Sequence, residues 1–279
     1  MNKIISYQVR FTLKQKPALI SFYLLLTVIL LNFTSNVLAF QGSDVVEMFH
    51  PAKMLTLSYN RVYYNADITL LLVQLYPALV ACPAGFLLAS ERNRKTDLLL
   101  ITRIGGRRYY LCKLLVAFLT TMVVFTVPFF VELALNCVSF PLRATGDFTY
   151  NGQYDPEYAT MVENYLFPWL FRQSPYLYAV AGILLFGVFS GVMGMLTTAL
   201  SAVVKVRYKI VLFLPTFLLL NGTLYLSEAA ASEASARWFD YVLLFSDMPK
   251  NGKFFAVALL VLAAASLFCG LYRSGGDQL

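Results

Sequence analysis

Leu114–Phe140 reads LLVAFLTTMVVFTVPFFVELALNCVSF, 27 residues in which Glu132 is the one charged side chain. An amphipathic helix of a water-soluble domain carries an apolar stripe and a polar face. This stretch has no polar face. A helix crosses the hydrocarbon core of a bilayer with roughly 20 apolar residues, because lipid offers no partner to an exposed backbone N–H or C=O. The stretch therefore reads as a membrane span.

Five more runs meet or approach that length: Ala18–Phe40, Ile68–Ala89, Tyr176–Val203, Ile210–Leu226 and Phe254–Leu271. The composition agrees, with 59% hydrophobic and 13% charged residues in a chain of 279, where soluble domains carry about 25% charge. The expectation is an all-α membrane protein of six transmembrane helices, a single domain over residues 1–279. The longest gap, Pro141–Pro175, is too short for a separate soluble domain. The run Ala18–Phe40 is too long and begins too late for a cleaved signal peptide, although Val37-Leu38-Ala39 faintly resembles a cleavage site.

The net charge of +7 does not point to nucleic acid, because the basic residues alternate from loop to loop. With the N-terminus inside, 15 of the 22 Lys and Arg fall on one side and seven on the other. The positive-inside rule then places both termini in the cytoplasm of a cell-membrane protein. Cys82, Cys112, Cys137 and Cys269 lie in or beside the runs. No external loop holds a pair, so a disulfide framework is not expected.

The N-terminal MNKIISYQVRFTLKQKP sets Ile4, Gln8 and Phe11 on one helical face and Lys3, Arg10 and Lys14 elsewhere. That pattern suits a helix lying in the membrane interface and ending at Pro17; the plainer alternative is a basic flank that only sets topology. Ser90–Asp97 is the most charged segment, and Leu98-Leu99-Leu100-Ile101-Thr102-Arg103-Ile104 follows before Gly105-Gly106. Thr96 or Asp97 caps a short helix there, and Gly105 ends it in a left-handed turn. Its apolar face needs a cover, and a partner protein is the natural candidate. Pro141–Pro175 is rich in aromatics and reads in part as lying on the outer interface. Trp238–Phe245 is apolar but too short to span, so it reads as re-entrant or interfacial.

The stretch ERNRKTDLLLITRIGGRRYYLCKLL, Glu91–Leu115, resembles the membrane subunit of an ABC-2 type transporter, whose pattern there is Glu, charges, Gly-Thr, a leucine run, a Pro-containing turn, Arg, and Lys at the next span. Glu91, Thr96, Leu98, Leu99, Leu100, Thr102, Arg107 and Lys113 fit; Lys95 stands where Gly is usual and Arg103 where Pro is usual. The layout is similar over the whole chain, while about 25 residues carry the motif. The resemblance implies an N-terminal interfacial helix, a coupling helix between spans two and three, and a re-entrant segment before span six. It implies ATPase coupling through Glu91, Thr96, Asp97, Leu98, Leu99, Ile101, Arg103 and Arg107. It also implies a separate cytoplasmic ATPase holding ATP and Mg, a second permease protomer, and outward movement of an amphipathic drug, peptide or lipid. The chain has no G-x-x-x-x-G-K-[ST] phosphate loop, so ATP hydrolysis is expected on the partner and no cofactor on this chain.

Enzymatic readings fare poorly. His50, the only histidine, stands at helical spacing from Asp44 and Glu47, but a solvated loop is the better reading than a cation site. Glu132 is different, since an ionisable group in a span costs at least a few kcal/mol unless it faces protein or water. Two readings stand: a group lining a pathway, or a carboxylate near the outer interface paired with Asn136 or a headgroup. Asn32, Gln74, Asn136 and Asn221 are further pathway candidates. Gly182, Gly187, Gly191 and Gly194 suit close helix packing, centrally or against another protomer. Pro77, Pro83, Pro128 and Pro215 mark kinks or breaks. Two rival functions remain, a non-transporting sensory or immunity subunit and an ion-coupled transporter using Glu132.

Overall fold

The structure is a computed structural model that describes residues 2–42, 50–59, 66–93, 96–142, 162–204, 209–229, 235, 237–246 and 248–276. Eleven α-helices are present among them. These are α1 (Asn2–Leu13), α2 (Lys16–Phe40), α3 (Ala66–Leu79), α4 (Leu87–Asn93), α5 (Thr96–Ile104) and α6 (Gly106–Ser139). There follow α7 (Pro168–Gln173), α8 (Pro175–Val203), α9 (Leu214–Ala229), α10 (Trp238–Val242) and α11 (Gly252–Gly276). The chain is an all-α membrane protein, and α2, α6, α8 and α11 are long and apolar enough to cross a bilayer.

Helices α6 and α8 form the axis of the bundle. In α8, 72% of the most apolar window is buried, against 17% in α11, which leaves most of α11 facing outward. The α8 glycines explain the closeness. A Cβ at Gly187 would stand 2.0 Å from Thr126 Oγ1, and one at Gly191 would stand 3.0 Å from the Phe118 carbonyl oxygen. A Cβ at Gly182 would strike Leu244, and one at Gly194 would strike Thr121. These small residues therefore pack within the chain, which decides for the central of the two placements expected for them.

The second apolar run is not one helix. It stops at Leu79, turns through residues 80–86 and resumes as α4. Pro77 lies inside α3 and Pro83 inside the turn, and each removes an N–H from the helical ladder. The turn is buried, and α8 takes up one of its acceptors, since Thr198 Oγ1 donates to the Ala84 carbonyl at 3.2 Å. The fifth run also differs from expectation. A 3-10 turn, Lys209–Phe213, precedes α9, and Pro215 stands in the first turn of α9, where a missing N–H costs nothing. It starts that helix rather than interrupting it.

Two non-helical segments lie inside the bundle at the end opposite α4 and α5. Residues 50–59 contain a 3-10 turn, Pro51–Met54, and the apolar segment after α10 runs through Leu243–Phe245. Leu244 N–H donates to the Leu57 carbonyl, and Tyr59 N–H donates to the Leu244 carbonyl, both at 2.8 Å. Trp238 wedges α10 into the core, its ring 4.7 Å from Tyr76 and 5.8 Å from Phe189. Trp238–Phe245 is accordingly buried except at the half-buried Phe239, and does not span. Phe245 has φ +57°, a strained angle for a bulky residue, held by the rings of Tyr165, Phe171 and Tyr178 packed around it. Of the aromatic loop before α8, residues 143–161 lie outside the described residues.

Overpacking at the α6–α8 contact is expected to cost about 1–3 kcal/mol. Gly187→Val or Gly191→Val should lower the thermal midpoint of the purified protein. Gly222→Val, where a new Cβ meets nothing within 4 Å, should leave it near the parent. Equal midpoints for all three would refute the packing argument.

Candidate functional site

The end of the bundle that carries α1, α4 and α5 is the more basic one, and its order rests on a buried lysine. Lys113 sits in the second turn of α6 and is 3% exposed. Its Nζ lies 2.5 Å from Glu91 Oε1 on α4, and Tyr109 Oη donates to Glu91 Oε2 at 2.6 Å. Glu91 therefore uses both oxygens to tie α4 to α6 across 22 residues of sequence. The adjacent Arg92 donates to the Ala202 carbonyl at 2.8 Å and to the Ser201 carbonyl at 3.4 Å. A guanidinium there meets the unpaired carbonyls and negative pole of the α8 C-terminus. One Glu-Arg pair thus joins three helices.

Helix α5 hangs from this brace. Gly105 separates it from α6 with φ +84° and ψ 140°, a region open essentially to glycine alone. It differs in ψ from the left-handed turn expected there. Leu100 and Ile101 are half-buried and pack on Leu88, Tyr109, Tyr110 and Ala202, so this part of the α5 apolar face is covered in part by the chain itself. Thr102, Arg103, Arg107 and Arg108 are exposed. Thr96, Asp97, Leu98 and Leu99 lie on α5, and their side chains fall outside the described residues. A groove of about 570 Å³ opens between α1 and this brace, lined in part by Tyr7, Phe11, Glu91, Arg103 and Lys113. Helix α1 forms as the N-terminal pattern predicts, with Tyr7 and Phe11 exposed. Its chain turns at Lys14-Gln15 into α2, which carries Pro17 in its first turn.

At the opposite end Glu132 is wholly buried. Its Oε1 accepts from Asn32 Nδ2 at 2.8 Å, Thr56 N at 2.8 Å and Thr56 Oγ1 at 2.6 Å. The partner is neither Asn136 nor a headgroup, which corrects the interfacial alternative. Asn32 and Asn36 each donate to the Met54 carbonyl at 3.0 Å, and Asn136 Nδ2 lies 3.4 Å from the Pro51 carbonyl. Thr69 Oγ1 donates to the Thr56 carbonyl at 3.0 Å. Side chains from α2, α3 and α6 thus supply the hydrogen bonds that segment 50–59 lacks as irregular chain.

The pathway candidates divide. Asn32, Glu132 and Asn136 meet in this cluster. Gln74 is exposed on α3, and Asn221 donates to the Phe217 carbonyl of its own helix at 2.9 Å. Thr56 and Asn36 were not candidates in the sequence, where a threonine in a loop and an asparagine near a helix end carry no signal of their own. His50 is buried, not solvated. Its Nδ1 accepts the Ala52 N–H at 3.1 Å, and burial together with Lys53 lowers its pKa to about 4. Asp44 and Glu47 lie outside the described residues. All four cysteines are free thiols.

No protein-family model, curated protein or solved structure matches this chain.

Removing one member of a buried ion pair leaves the other charge uncompensated, at about 3–5 kcal/mol. Glu91→Gln should therefore lower the thermal midpoint sharply, and the double variant Glu91→Gln, Lys113→Met should recover most of the loss. Additive losses in that cycle would show that the two residues do not act as a pair.

Proposed function

We propose that this chain is the permease subunit of an ATP-driven exporter of the ABC-2 type. In this reading α3–α4 and the 3-10 turn with α9 complete six crossings, the basic end faces the cytoplasm, and a separate ATPase docks against α4 and α5. What supports it above all is the ion pair between Glu91 and Lys113, the first and last charged residues of the motif that carries the resemblance. A coupling element must be rigid toward the span it moves and open toward its partner. The brace supplies the first property, and the exposed Thr102, Arg103, Arg107 and Arg108 supply the second.

Force on α5 would pass through Glu91 to α6 and through Arg92 to α8, the two central helices. ATP-driven closure of paired ATPases would then rock two permease protomers between inward- and outward-facing states. The substrate in this reading is an amphipathic molecule, a drug, peptide or lipid. A non-transporting subunit of a sensory or self-protection system would use the same docking. The ion-coupled rival draws no support from an open position of Glu132, which is 0% exposed.

The tagged chain purified from its native membrane should bring vanadate-sensitive ATPase activity with it. Arg103→Glu with Arg107→Glu should remove at least nine-tenths of that activity while leaving the thermal midpoint unchanged, because both side chains are exposed. Undiminished activity in the double variant would place the docking surface elsewhere, and no activity with the parent would count against the whole reading.

A further inference from the structure

The Glu132 cluster carries an imbalance that its role as a clamp leaves unexplained. Three of its buried oxygens, Glu132 Oε2, Asn32 Oδ1 and Asn136 Oδ1, have no hydrogen-bond partner. Each belongs to a side chain that is 0% exposed. All three are acceptors, and Asn32 spends both its N–H groups on the Met54 carbonyl and Glu132 Oε1, while Asn136 turns its nitrogen toward the Pro51 carbonyl. Asn32 Nδ2 touches Glu132 Oε1 at 2.8 Å, and Asn136 follows Glu132 by one helical turn, on the same face of α6. Neither ion pair among the described residues involves Glu132.

A buried acceptor left without a partner costs about 1–3 kcal/mol, and a carboxylate more. A single water donates two hydrogens and brings lone pairs of its own, so it leaves one of the three oxygens unsatisfied. A small cation satisfies all three and the charge together. Hard cations take oxygen ligands of this kind, carboxylate and carboxamide. One formal negative charge matches a monovalent ion, whereas a divalent one in such a dry site would keep an excess of positive charge.

We propose that Glu132, Asn32 and Asn136 form a buried site for a small monovalent cation of the sodium class, which locks segment 50–59 into the bundle. The site does not depend on the exporter reading, because it lies at the far end of α6 from the proposed ATPase surface. Its ion is a structural one, fixed between α2, α6 and the loop.

The purified chain in nanodiscs, unfolded thermally in sodium, potassium or choline chloride at one ionic strength, tests this. The midpoint should rise saturably with sodium over choline, as binding to the native state alone requires. Asn136→Ala, which removes one ligand and keeps the carboxylate, should abolish that rise or weaken the apparent affinity at least tenfold. Glu132→Gln should abolish it as well. Identical midpoints of the parent in sodium and choline would overturn the proposal. So would a sodium effect retained in full by Asn136→Ala, which would place the ion elsewhere. A parent that responds to lowered pH in choline and not to sodium would mean that the carboxyl holds a proton, and would overturn it too.

Discussion

Irregular backbone survives inside a lipid-embedded bundle only where side chains or other backbone accept its donors and supply its acceptors. Residues 50–59 are such backbone, and the Glu132 carboxylate is what holds them. Its Oε1 takes both the amide and the hydroxyl of Thr56. Two asparagines of α2 then bind the Met54 carbonyl, and the fixed segment in turn presents Leu57 to Leu244. The buried position of the segment after α10 is thus reached through the loop before α3. An acid that is costly in lipid becomes the residue on which two inserted segments depend.

The other end of α6 is organised by charge of the opposite sign. Lys113 is buried like Glu132, yet it is met by a full carboxylate from α4, with Tyr109 on the second oxygen. The contrast between the ends is physical. The Glu91–Lys113 pair is neutral overall and leaves Arg103 of α5 exposed, while the Glu132 cluster is rich in acceptors and, among the described residues, has no basic side chain paired with its acid. Helix α6 joins both, so a displacement at the brace and a rearrangement of the inserted segments share one rigid element. That continuity is what an exporter of the proposed kind would use.

The spans α2, α6, α8 and α11 were legible because each is an unbroken apolar run that meets or approaches the length a bilayer needs. The second run was equally apolar, so its length concealed the break after Leu79; Pro77 and Pro83 marked the place, but prolines in spans more often bend than interrupt. Pro215 misled in the other direction, since whether a proline starts or breaks a helix depends on which residue the helix begins with. Glu132 announced itself by its cost in lipid. Its partner Thr56 did not, because it lies 76 residues away in a loop. Ile101 was read as facing a partner, and the part of its cover that the chain supplies comes from Tyr109, Tyr110 and Ala202, the last a hundred residues on. Local pattern tells that a face must be buried, and only the tertiary fold tells by what.

Hydrogen–deuterium exchange over residues 51–59 of the chain in nanodiscs addresses the clamp most directly. Native-state exchange reports local opening, so amides held by Glu132 and by Leu244 should exchange as slowly as those of mid-α6. Glu132→Leu should speed exchange in residues 51–59 and 243–245 at least tenfold while residues 91–113 keep the parent's rates. Fast exchange of residues 51–59 in the parent, or an unchanged pattern in Glu132→Leu, would contradict the placement of this carboxylate at the centre of that end of the bundle.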